Sequence, residues 1–231
     1  MTLARTFDLA KESQRFKREL DELLNHTICD GISLKSIVTS TSPQRTVIGY
    51  RITKDNQDVT EGIPVTTGGR GARFYLGLSI RLVPDDKRTH LTVASSVMIL
   101  ATAADVADES NILLHYDYER GKEDYPEAHL QICASSDAWR DAGRRLDGRE
   151  RLLERLHLPV GDRRFRPTLE DLIEFLIREK LAKPRRGWES AIEASRARFR
   201  DMQLKAAVRR YPDTAVSELE RLGYTITRPR E

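Results

Sequence analysis

Residues Phe74–Val83 read Phe-Tyr-Leu-Gly-Leu-Ser-Ile-Arg-Leu-Val, and this stretch decides the fold. Phe74, Leu76, Leu78, Ile80 and Leu82 fall at every second position, with Tyr75, Gly77, Ser79 and Arg81 between them. Side chains of an extended backbone alternate between two faces, so the segment reads as a strand with one buried face. Pro84-Asp85-Asp86-Lys87 follows, with proline in a turn position and aspartate able to cap the turn. Thr89–Thr102 then supplies a second extended run, apolar at Leu91, Val93, Val97 and Ile99. Two strands joined by a short turn pair antiparallel.

Working outward, Ser33–Thr39, Arg45–Thr53, Asn111–Tyr118 and Ala128–Cys133 carry further strand patterns. A long loop, Lys54–Arg73, separates two of them and contains Thr66-Thr67-Gly68-Gly69-Arg70-Gly71. Ahead of the strands, Phe16, Leu20, Leu23 and Leu24 make the apolar stripe of a helix over about Thr6–His26. This helix is also a candidate for pairing with a partner helix. After Ser135 the pattern turns helical. Thr168 caps a helix bearing Leu169, Leu172, Ile173, Leu176 and Ile177, which Pro184 is expected to stop. A second helix spans about Gly187–Arg210, and Asp213 is expected to cap a third over Thr214–Leu222 that Gly223 ends. Strands first and helices last predict an α+β fold: an antiparallel sheet of about five to six strands with an N-terminal helix and a C-terminal helical region. Residues 1–138 are expected to form the β body, and residues 139–231 a basic helical region packed on it.

With 39% hydrophobic and 32% charged residues, the chain has material for a core and too much charge for a bundle of membrane spans. The N-terminus lacks an apolar signal-peptide core, and Cys29 and Cys133 are far apart. A cytoplasmic protein with two reduced thiols and no membrane partner is expected. The net charge of +3 conceals an imbalance: residues 1–138 carry 16 basic and 20 acidic side chains, and residues 139–231 carry 23 and 16. A basic tail favours nucleic acid or an acidic protein as partner. Several enzyme signatures are absent: there is no H-E-x-x-H, C-x-x-C, G-x-S-x-G, phosphate-binding G-x-x-x-x-G-K-[ST] or dinucleotide fingerprint. No cofactor is expected.

Chemistry concentrates in His115-Tyr116-Asp117-Tyr118 and, across a charged turn, Tyr125-Pro126-Glu127-Ala128-His129. On a strand, His115 and Asp117 share one face and Tyr116 and Tyr118 the other. The returning strand brings His129 beside one of these pairs, depending on register. An imidazole backed by a carboxylate can move protons near neutral pH. RNA cleavage without a metal needs such a base for the 2′-hydroxyl, an acid for the leaving group and a cation on the phosphate. His129 is assigned as acid or base, Asp117 as its orienting partner, and Tyr116 or Tyr118 as a hydrogen-bond donor. His115, Asp117, His129 and His157 would have to converge to hold a metal. No compact ligand motif predicts that, and no metal site is expected.

The loop before Thr168 contains Arg163, Arg164 and Arg166, suited to phosphate through guanidinium forks and free helix N–H groups. Arg144 is another candidate cation. Arg185, Arg186, Arg209 and Arg210 are expected to contact nucleic acid. The short Tyr211-Pro212-Asp213 joint between two helices admits a helix-turn-helix mimic, without the small residue expected in that turn.

The run Tyr116-Asp117, then Tyr125-Pro126-Glu127-Ala128-His129, resembles TumE-type toxins of bacterial toxin–antitoxin pairs. These carry a Tyr-Asp strand and, across a turn, a strand bearing Pro and His. The family tends to have a His cluster after the Pro, where this chain has His129. The resemblance implies a toxin-like or phage-defence-type bacterial protein acting on RNA by acid–base phosphodiester chemistry. The alternative is a non-enzymatic binding or scaffold subunit whose basic helices contact nucleic acid or an acidic protein.

Overall fold

The computed structural model describes residues 7–39, 43–68, 71–124, 126–134, 157–160 and 166–227. The chain is α+β. Helix α1 (Leu9–Thr27) leads into strands β1 (Lys35–Val38) and β2 (Thr46–Gly49). Next come β3 (Ile63–Pro64), β4 (Tyr75–Pro84) and β5 (Leu91–Ala101). Then follow β6 (Ile112–Glu119), β7 (Ala128–Ile132) and β8 (Leu158–Pro159). Helices α2 (Leu169–Arg178), α3 (Trp188–Arg210) and α4 (Pro212–Arg221) close the order.

All eight strands form one antiparallel sheet in the order β1-β2-β4-β5-β6-β7-β8. Strand β3 pairs with β4 at Leu76 and Tyr75, beyond the end of β2. The sequence pattern leads to five or six strands, and the extra two are two-residue pieces. One sits inside the long Lys54–Arg73 loop, and the other at Leu158–Pro159, ahead of the segment that leads to Thr168. Too short to show alternation, both exist because a neighbouring edge offers partners.

One face of the sheet carries Leu76, Leu78, Ile80, Leu82, Met98 and Leu100, all buried, as the period-two pattern requires. Helices α1, α2 and the start of α3 cover it. Leu20, Leu23 and Leu24 of α1 join the same core as Leu169, Leu172, Ile173 and Leu176 of α2 and Trp188 and Ile192 of α3. Each large apolar side chain so buried contributes about 1.5–3 kcal/mol. The apolar face of α1 is therefore spent on the core and is not available to a partner helix.

Strand β5 departs from simple alternation. Arg81 pairs with Ser95 and Leu82 with Val93, so Ala94 is an extra residue. This β-bulge shifts the parity. Leu91 and Val93 face the helices before it, and Met98 and Leu100 do so after it. Val97 and Ile99 consequently point to the opposite face.

Local chemistry sets the helix ends. The Asp8 carboxylate accepts from the Lys11 N–H at 3.0 Å, so α1 starts at Leu9 rather than Thr6. Asp171 accepts from both the N–H and hydroxyl of Thr168, at 2.8 and 3.1 Å. Helix α2 ends well before Pro184: Lys180 takes a left-handed φ of 60°, and the N–H groups of Leu181 and Ala182 turn back to the Leu176 carbonyl at 2.8 and 2.9 Å. Pro212 opens α4 at its first position, so Asp213 lies inside the first turn instead of capping it. Among the described residues, no helix is long and apolar enough to cross a membrane.

Candidate functional site

Two faces of one strand have different fates in β6. Tyr116 pairs with Met98 and Leu130, and Tyr118 with Ser96 and Ala128, on the face covered by helices. Burial raises the Tyr116 pKa, and the nearby Asp171 carboxylate of α2 adds to the rise. Tyr118 is 2% exposed. Strand alternation thus separates both tyrosines from Asp117, and they do not share a site with it.

The other face gathers the histidines. Asp117 lies directly opposite His129, and His115 opposite Gln131. Continuing the β7–β8 register places His157 beside Gln131, because Leu130 pairs with Leu158 and His129 with Pro159. His115 Nδ1 is 2.8 Å from Asp117 Oδ2, a distance at which the ring N–H donates to the carboxylate. His129 Nε2 is 3.5 Å from the same oxygen. The Pro126 carbonyl lies 3.0 Å from His129 Nδ1 and can only accept, so Nδ1 carries a proton. The rings of His129 and His157 meet edge to face at 4.6 Å.

Exposure separates the roles. His129 is 3% exposed, while the side chains of His115 and Asp117 are 24% and 21% exposed. His115 is thus the reachable ring, with Nδ1 fixed by Asp117 and Nε2 left to exchange a proton. His129 is a buried support touching Asp117, Pro126 and His157. Burial pushes the His157 pKa down, the His129 and His115 rings act the same way, and Asp117 opposes them. His157 is therefore neutral at pH 7 and able to accept a proton. Asp117 Oδ1 is buried and has no hydrogen-bond partner among the described residues. Among those residues, no group of three or more His, Cys, Asp or Glu side chains is arranged to hold a metal ion.

The sequence-based assignment thus brings Asp117 and His129 together and misplaces the accessible ring. His115 was legible as the same-face neighbour of Asp117 two residues away. His157 was named with them as a residue that would have to converge, and what brings it there is the pairing of the two-residue β8 with β7.

The arginines divide. Arg144, Arg163 and Arg164 lie outside the described residues, as does Tyr125. Arg166 places its guanidinium 4.1 Å over the Tyr118 ring, on the helix side and away from His115. Arg185 is a strut: its N–H donates to the Thr27 carbonyl at 2.9 Å, its Nε to the Cys29 carbonyl at 3.2 Å, and it pairs with Asp30. Arg186, Arg209 and Arg210 are exposed. Arg81 is exposed on the histidine face, in the row Arg81–Ser95–Glu119 next to Val97–Asp117–His129.

Comparison of the chain with protein-family models, curated proteins and solved structures gives no match.

Proposed function

We propose that the chain cleaves RNA by acid–base chemistry on the histidine face of its sheet. The observation that carries this reading is the His115–Asp117 contact at 2.8 Å on the face where His129, paired with Asp117, meets the His157 ring edge to face at 4.6 Å. Neutral His157 takes the proton of a 2′-hydroxyl, whose oxygen attacks the adjacent phosphorus. The bond to the 5′-oxygen breaks, and the His115 ring, its Nδ1 held by Asp117, gives an Nε2 proton to that leaving oxygen. The products are a 2′,3′-cyclic phosphate and a free 5′-hydroxyl. His129 is a positioning residue. The likeness of the hairpin to TumE-type toxins supports a toxin-like or defence role for this activity. Induced expression in a bacterial host tests the reading. Wild type is expected to arrest growth and degrade bulk RNA, and His115→Ala to do neither. Equal growth and intact RNA in both would refute it.

A second reading is a non-enzymatic binding subunit, favoured by the exposure of Arg186, Arg209 and Arg210. It requires an affinity for nucleic acid that falls steeply with salt and is lost on charge reversal at these three positions.

A further inference from the structure

The distal half of α3 and all of α4 stand clear of the core. Trp188 and Ile192 are the buried residues of α3, both in its first two turns, and α4 has none. This arm is nevertheless rich in apolar surface. Leu204 is 66% exposed, Val208 46% and Tyr211 52%. The spacing of four residues puts Leu204 and Val208 on one helix face, and Tyr211 caps the helix just beyond them. At the far end of the arm, Leu219, Leu222 and Tyr224 are 38%, 58% and 62% exposed. Large apolar side chains concentrated on an otherwise charged arm suit a contact with another protein.

The charge pattern says which protein. From Arg198 to Arg210, α3 carries five basic side chains (Arg198, Arg200, Lys205, Arg209, Arg210) against Asp201 alone. Helix α4 reverses this, with Asp213, Glu218 and Glu220 against Arg221. Local pairs join Arg200 to Glu193 at 2.9 Å, and Lys205 to Asp201 and Arg221 to Glu218 at 2.6 Å; a pair of opposite charges is neutral, so the net charge of each limb keeps its sign. A uniformly acidic partner, nucleic acid included, would be repelled by α4, and a uniformly basic one by α3. A second copy of the same arm satisfies both limbs. Turned about a two-fold axis, the acidic α4 of each copy lies on the basic α3 of the other.

We propose that two copies of this chain pair through the arm, Leu204, Val208 and Tyr211 of each packing on Leu219, Leu222 and Tyr224 of the other. The pairing is independent of the histidine site. It is tested on the full chain by size-exclusion chromatography with light scattering at micromolar concentration. Wild type is expected at twice the chain mass of 26.4 kDa. Leu204→Glu with Val208→Glu is expected to run as a single chain with an unchanged circular dichroism spectrum, since both positions are exposed. Arg209→Glu with Arg210→Glu should weaken pairing roughly tenfold or more, and so should Glu218→Lys with Glu220→Lys. Mixing these two charge variants should restore it, which keeps the proposal testable if the glutamate pair unfolds. A wild-type mass of 26.4 kDa would overturn the proposal. So would a dimer indifferent to all these changes, or a monomeric arm that instead shifts duplex nucleic acid in a gel.

Discussion

Replacing Arg185 by alanine separates a structural arginine from a ligand-binding one. The main-chain N–H bond to the Thr27 carbonyl survives the change. Lost are the Nε–H bond to the Cys29 carbonyl at 3.2 Å and the ion pair with Asp30. A hydrogen bond to a charged group contributes roughly 1.5–3 kcal/mol. The two side chains are 40% and 29% exposed, so water and salt screen their attraction. We therefore expect Arg185→Ala to cost about 1–2 kcal/mol. In a chain of this size that lowers Tm by roughly 2–8 °C. Thermal and urea unfolding measure the loss, and a cycle with Asp30→Ala should show the two changes to be non-additive. Thiol labelling gives an independent readout. Burial pushes the Cys29 thiol pKa up to about 12, with the Arg185 charge opposing, so the native thiol should be nearly inert. Loss of the strut should speed its labelling. An unchanged Tm and labelling rate, together with lost nucleic-acid binding, would refute the strut and restore Arg185 as a surface contact.

The His157 pKa is lowered by folding, so in a window below its ordinary value of 6.5 the unfolded chain binds a proton that the folded chain does not. Stability is thus expected to fall as pH drops through that window, and His157→Gln should flatten the slope, as read by urea unfolding at stepped pH. At Gly62, an added Cβ would lie 2.8 Å from Tyr75 Cβ and 2.9 Å from Val106 Cγ1, so Gly62→Ala should destabilise by about 1–3 kcal/mol in the same assay.

Much of the architecture was legible because it rests on local periodicity. The alternation from Phe74 to Leu82 and the stripe of Leu20, Leu23 and Leu24 each specify a face that must be buried, and the structure buries both. The turn after Pro84 was also readable, since Asp85 accepts from the His90 N–H at 2.8 Å. What escaped depends on partners distant in sequence. The bulge at Ala94 exists only relative to Arg81 and Leu82 across the sheet. Strand β8 exists because the edge of β7 is there to receive it. Helix α2 ends at a left-handed lysine that no propensity would select, with Pro184 following too late to be the cause.

The site was legible in part for the same reason. The i, i+2 spacing puts His115 and Asp117 on one face whatever the register. Whether His129 joined them depended on a register that a one-residue slip would invert, and the structure pairs it with Asp117. The basic tail pointed to a phosphate-holding role at the histidines. Of the arginines assigned to phosphate or nucleic acid, Arg166 stacks on Tyr118, Arg185 braces Asp30, Arg186, Arg209 and Arg210 are exposed, and Arg144, Arg163 and Arg164 lie outside the described residues.

The central proposal is most directly tested by incubating the purified chain with a short RNA and characterising the ends it produces. The account predicts cleavage leaving 2′,3′-cyclic phosphate, abolished by a 2′-deoxy substitution at the scissile position. His115→Ala and His157→Ala should each slow cleavage by roughly 10²–10⁴-fold. An intact RNA with wild type, or equal rates in wild type and both variants, would contradict it.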